Sequence, residues 1–164
     1  MLKYVDTLVG FREIPDEICL CINISNCPNH CPGCHSEYLK EDIGEILDCD
    51  SLVKLINSNK GISCVAFMGG DSEPHQILTL ARTIKVAYDG LKVAWYSGKT
   101  TIPECISINI HNFDYIKLGP YIEEKGPLDN PNTNQIMYEV CLVNKLGDKY
   151  LLKEITHKFR KHEN

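Results

Sequence analysis

No stretch of the 164 residues approaches the run of roughly 18 apolar residues that a membrane-spanning helix needs. The opening Met1-Leu-Lys-Tyr-Val-Asp6 lacks the apolar region of a secretory signal, which leads us to expect a cytoplasmic protein. Basic residues are not in excess: 17 Lys and Arg stand against 22 Asp and Glu, a net charge of −5, with no extended basic run. Non-specific binding to nucleic acid or to an anionic membrane is therefore not expected. Internal repeats, low-complexity tracts and linkers are also missing, so a single domain over 1–164 is the simplest partition. The chain is too short for a complete eight-unit α/β barrel of about 250 residues. With 43% hydrophobic and 24% charged residues, general disorder is excluded as well.

What the chain has in excess is cysteine. Nine cysteines, an odd number, without an export signal argue against a disulfide framework and for metal or redox chemistry at some of them. Cys27, Cys31 and Cys34 fall within eight residues, while Cys19, Cys21, Cys49, Cys64, Cys105 and Cys141 are scattered. Those among the scattered six that sit inside apolar runs read as small buried side chains.

Around the cluster, strand-like and helix-like segments alternate. Glu17 to Ile24 reads as a strand, with Ile18, Leu20, Ile22 and Ile24 on one face and Cys19, Cys21 and Asn23 on the other. The cysteine cluster follows in a loop punctuated by Pro28, Pro32 and Gly33. Asp50 or Ser51 suits the cap of a short helix carrying Leu52, Val53, Leu55 and Ile56. Ile62 to Phe67 is a buried strand running into Met68-Gly69-Gly70-Asp71. Pro74 then opens a helix whose Ile77, Leu80, Ala81, Ile84 and Ala87 form one apolar stripe. Leu91 to Tyr96 and Phe113 to Leu118 are further strands, separated by a short segment from Pro103 to Ile108. This spacing predicts βαβ units and a parallel sheet. In the tail, Gln135–Val143 and Tyr150–Phe159 flank a turn at Asn144–Asp148 and suit a terminal hairpin, although Leu151, Leu152, Ile155 and Phe159 also fit a helical stripe.

Thiolates on a short, turn-rich loop suit an iron–sulfur cluster or zinc. Cys31-Pro-Gly-Cys34-His35 also matches a haem-attachment pattern, and Cys31-Pro-Gly-Cys34 a redox pair, which should open a helix and leaves the third cysteine idle. Zinc could take Cys27, Cys31, Cys34 and either His30 or His35. Three thiolates on a four-iron cubane would leave one iron open to a substrate or cofactor.

The spacing C-x₃-C-x₂-C directly after a first strand resembles the signature of the radical S-adenosylmethionine superfamily. Gly69-Gly70-Asp71, at the end of the next strand, is similar to that superfamily's Gly-Gly-Glu motif. The cluster loop Asn26–His35 resembles more narrowly that of the activating proteins of anaerobic ribonucleoside-triphosphate reductase. Trp95-Tyr96-Ser97-Gly98 is similar to their Trp-Thr-Gly strand end, and Asn132-Thr-Asn-Gln135 to their Ser-Asn-Gln segment. Two places depart from the pattern: Val9-Gly-Phe-Arg12-Glu-Ile-Pro15 replaces a Gly-Pro-Gly turn followed by Arg, and Lys117-Leu-Gly-Pro120 replaces an Asp-Gly-Lys-like stretch.

The resemblance implies a short, open parallel (β/α) half-barrel and an enzyme, an oxidoreductase with a 4Fe-4S cluster and S-adenosylmethionine as cofactors. It implies Cys27, Cys31 and Cys34 as cluster ligands, Gly69, Gly70 and Asp71 facing the methionine end, Ser97 near the ribose and His35 near the adenine. On that footing Gly70→Val is expected to weaken cofactor binding without a cost in stability. The implied partners are the glycyl-radical reductase and an electron donor such as flavodoxin or ferredoxin. Activation of another glycyl-radical enzyme, chemistry on a small molecule, and a non-catalytic zinc-binding module are the alternatives.

Overall fold

The computed structural model describes residues 1–144 and 149–160. Its strands are β1 (Lys3–Gly10), β2 (Cys19–Ile24), β3 (Glu45–Ile46), β4 (Cys64–Met68), β5 (Lys92–Tyr96), β6 (Tyr115–Leu118), β7 (Ile136–Asn144) and β8 (Lys149–Glu154). The helices are α1 (Cys49–Ser58), α2 (Pro74–Ala87) and the one-turn α3 (Glu104–Ser107). All eight strands form one open sheet in the order β3-β1-β2-β4-β5-β6-β7-β8. The middle four, β2, β4, β5 and β6, are parallel, as the alternation of strands and helices predicts. Both flanks are antiparallel: β1 and β3 on one side, β7 and β8 on the other. The fold is thus α/β with a mixed sheet: the parallel expectation holds for the middle four strands, the pair β7–β8 matches the expected terminal hairpin, and the antiparallel β1 and β3 at the other edge correct it.

The parallel strands are apolar on both faces because both faces are covered. On one face Leu20, Ile22, Val65, Phe67, Val93 and Trp95 pack against Ile77, Leu80, Ala81 and Ile84 of α2. On the other, side chains are small: Cys19, Cys21, Cys64, Ala66 and Ala94 lie under Ile14, Leu128, Met137 and Ile155. Cys19, Cys21 and Cys64 are buried, whereas Cys49, Cys105 and Cys141 are only partly so. A polar group closes the start of the strands, where buried Glu17 accepts from Ser63 Oγ at 2.6 Å, from Tyr115 Oη at 3.1 Å and from Lys92 Nζ.

One local expectation changes, and the open choice in the tail resolves. The cap of α1 is Asp48, not Asp50 or Ser51: Asp48 Oδ1 accepts from Ser51 N at 2.9 Å while Ser51 Oγ accepts from Asp48 N at 2.8 Å. This reciprocal box starts the helix at Cys49, two residues earlier than a cap at Asp50 would allow. The tail forms the antiparallel pair β7–β8, the expected hairpin and not the alternative helix, followed by a 3₁₀ turn at Thr156–Phe159. Pairing of β8 with β7 supplies ladder bonds that a helix from Leu151 to Phe159 would forgo. Of the expected turn at Asn144–Asp148, residues 145–148 lie outside the described residues. Among the described residues, no helix is long and apolar enough to cross a membrane.

Candidate functional site

The cysteine loop leaves the C-terminal end of β2 and folds onto a 3₁₀ turn at Glu37–Lys40. Asn26 N donates to Glu41 O and Cys27 N to Leu39 O, both at 2.9 Å, and these bonds pin its first turn. Asn26 (φ 56°), His30 (φ 45°) and Gly33 (φ 70°) are all in the left-handed region. Each stands directly before one of the three cysteines. Two of these positions are non-glycine, a conformation that costs energy and persists only where the surroundings impose it.

Cys27, Cys31 and Cys34 are half-buried and border one cavity of ≈ 870 Å³. Gly69 and Asp71 after β4, Ser97 and Gly98 after β5, and Lys117 in β6 form other walls. The site therefore sits outside the carboxyl ends of the parallel strands, where α/β sheets bind ligands. Exposed His35 also borders the cavity, its ring centroid 5.2 Å from that of Tyr121.

Gly70 does not border the cavity, unlike its neighbour Gly69. A β-carbon on Gly70 would lie 2.5 Å from Ile77 Cδ1, in the core beneath α2. The expectation that Gly70→Val spares stability is corrected accordingly, since the side chain would enter the helix interface.

Asp71 accepts three hydrogen bonds: from Ser97 Oγ at 2.6 Å, from Asn29 Nδ2 at 2.6 Å and from Gly98 N at 2.8 Å. Its carboxylate ties the cysteine loop to the ends of β4 and β5. Ser97 is buried, and its hydroxyl also accepts from Lys99 N at 3.0 Å.

Three groups escaped the sequence reading of the site. Lys117 is buried, donating to Gly119 O at 2.7 Å. Burial pushes its pKa down to about 8, against the opposing pull of Asp71 and of Cys31, Cys34 and Cys27. In sequence this lysine stands out only as a departure from the activase pattern. Gln135, noted in sequence only within the Ser-Asn-Gln-like segment and given no role there, is buried and borders the cavity; the neighbouring Asn134 donates to Pro120 O at 2.9 Å. Asn29 carries no sequence signal beyond being polar between two cysteines.

The donor chemistry of three soft thiols beside a buried ammonium fits an iron–sulfur cluster. Among the described residues, however, no three His, Cys, Asp or Glu side chains are drawn together as a ligand set. The thiols share a cavity without converging. Cys31-Pro-Gly-Cys34 does not open a helix, which the redox-pair reading requires. The chain matches no protein-family model, no curated protein and no solved structure.

Proposed function

We propose that the chain is a radical S-adenosylmethionine enzyme built on an open half-barrel. In this reading it activates anaerobic ribonucleoside-triphosphate reductase by installing a glycyl radical. The observation that carries the reading is the opening of Cys27, Cys31 and Cys34, each preceded by a left-handed residue, onto the cavity at the parallel strand ends.

A cluster bound there would supply the one-electron chemistry for reductive cleavage of S-adenosylmethionine to methionine and a 5′-deoxyadenosyl radical. The chain's own work is to bind, orient and shield. Cys27, Cys31 and Cys34 would hold the cluster through their thiolates. Gly69 offers backbone at the cavity wall, and the Lys117 ammonium places positive charge beside the anionic centre. Asp71 and Ser97 satisfy one another, so their part is to fix the strand ends around the cofactor. The cavity is roomy enough to admit a second molecule's loop, and a partner's glycine, lacking a side chain, suits that entry. Such a partner would also exclude water from the radical.

Anaerobic reconstitution with iron and sulfide tests the reading. The expected product is a brown protein with about four irons per chain that cleaves S-adenosylmethionine on reduction by flavodoxin or ferredoxin. With the cognate reductase added, paramagnetic resonance should show a glycyl doublet. Tight stoichiometric zinc without a cluster would overturn the enzyme reading. Turnover of a small molecule with no partner and no doublet would overturn the activase reading.

A further inference from the structure

Asn29 lies between Cys27 and Cys31, and its carboxamide has two N–H groups with two different acceptors. One is donated to Asp71 Oδ2 at 2.6 Å, the other to Cys27 Sγ at 3.7 Å. Asp71 is itself held by Ser97 Oγ and Gly98 N, so the acceptor that aims Asn29 is anchored at the ends of two core strands. A charged acceptor makes the anchoring bond strong and short. Gly98 completes the arrangement. A β-carbon there would stand 2.8 Å from Asn29 Cγ and 3.3 Å from its Cβ. The φ of Gly98 lies outside the left-handed region, so its backbone does not demand glycine. What the missing side chain provides is room for the Asn29 amide.

We infer that Asn29 is a positioning residue that presents an N–H to the Cys27 sulfur, with Asp71 aiming the amide and Gly98 leaving it space. The consequence for redox chemistry rests on the reading of Cys27 as a cluster ligand. A hydrogen bond to a ligating sulfur withdraws electron density from the cluster and favours its reduced state. Asn29 would thereby raise the midpoint potential and ease the electron transfer that precedes cleavage. The same amide tethers the first turn of the cysteine loop to the sheet in the metal-free chain.

Two variants test this by opposite routes. Asn29→Ala deletes the donor. Gly98→Ala keeps every polar group and crowds the amide, and the flexible side chain of Asn29 gives way before backbone does. Each is reconstituted anaerobically and titrated for its midpoint potential, and each metal-free protein is measured by amide hydrogen exchange across residues 27–34. The expected result is a more negative potential in both variants at the wild-type iron content, with faster exchange in both metal-free proteins. A purely structural role for Asn29 would not move the potential of a fully loaded cluster. Wild-type potentials in both loaded variants overturn the inference. Should a variant fail to take up iron, exchange in the metal-free chain decides: unchanged exchange in Gly98→Ala overturns the tether, and faster exchange supports it. If the wild-type chain itself assembles no cluster, the proposed function falls, and the exchange comparison still judges the tether by the same criterion.

Discussion

Replacing Gly70 by alanine separates a packing role from a ligand-binding one. Gly70 has φ +91°, and the new β-carbon would stand 2.5 Å from Ile77 Cδ1 and 2.8 Å from Ile77 Cγ1. Ile77 is fully buried in α2, so it has little room to retreat. A non-glycine residue in the left-handed region costs about 1–2 kcal/mol. Overpacking a tight core adds about 1–3 kcal/mol. The expected loss is therefore roughly 3 kcal/mol, or roughly 6–12 °C in Tm for a chain of this length. Thermal or urea unfolding of the metal-free protein, followed by circular dichroism, reads it directly. Ile77→Val removes the nearer clashing atom and should cost about 0.5–1.5 kcal/mol alone. Because the two changes meet at one contact, the double variant should be more stable than the summed losses by about 1 kcal/mol. A Gly70→Ala protein within about 0.5 kcal/mol of wild type, or two losses that simply add, would refute the packing argument.

The cysteines of the loop and of the helical face should behave differently. Cys34→Ala is expected to abolish cluster assembly, whereas Cys105→Ala, altering a thiol packed against the helical core, keeps wild-type iron by chemical analysis. Lys117→Met should change how stability depends on pH: folded Lys117 loses its proton near about 8 and the unfolded lysine near 10.5, so between them the unfolded chain binds more protons. Wild-type stability should rise across that window relative to the variant by up to about 3 kcal/mol, and parallel curves in urea titrations would contradict the burial argument. Burial alone would raise the pKa of Glu17, but the bonds from Lys92, Ser63 and Tyr115 outweigh it and hold the carboxyl below its usual 4.5. Its contribution is thus present above 4.5 and lost as pH falls through the lower folded value, and Glu17→Gln should flatten the acid limb of the stability curve.

The parallel centre of the sheet was legible because its strands are short, uniformly apolar runs separated by a helical stripe with a proline start. β1 was not. Its residues alternate weakly, and Leu8 and Val9 are exposed, so its pairing with β2 and β3 is what defines it as a strand. The cap of α1 was misplaced because Asp48 and Asp50 are equally plausible in sequence, and only the reciprocal bond with Ser51 distinguishes them. The cysteine loop announces itself by spacing. Asn29, by contrast, acquires its meaning from Asp71 and Gly98, which lie far along the chain and meet it only in three dimensions. Gly70 misled for the reverse reason: a Gly-Gly pair looks uniform in sequence, yet its two members face a cavity and a core.

On the small-residue face of the sheet, two of the buried thiols are held in their protonated form. Burial, with the charges of Glu13 and Cys19 nearby, pushes Cys21 up to about 12. A hydrogen bond with Cys19, together with burial, raises Cys64 as well. Neither yields thiolate at neutral pH, and thiolate is the form that captures a metal or attacks an electrophile. Iron offered to the folded chain therefore meets no competing ligand from these two positions, despite their abundance of sulfur. Cys21 and Cys64 thus serve as packing while the chain is folded and become available as ligands only when it unfolds.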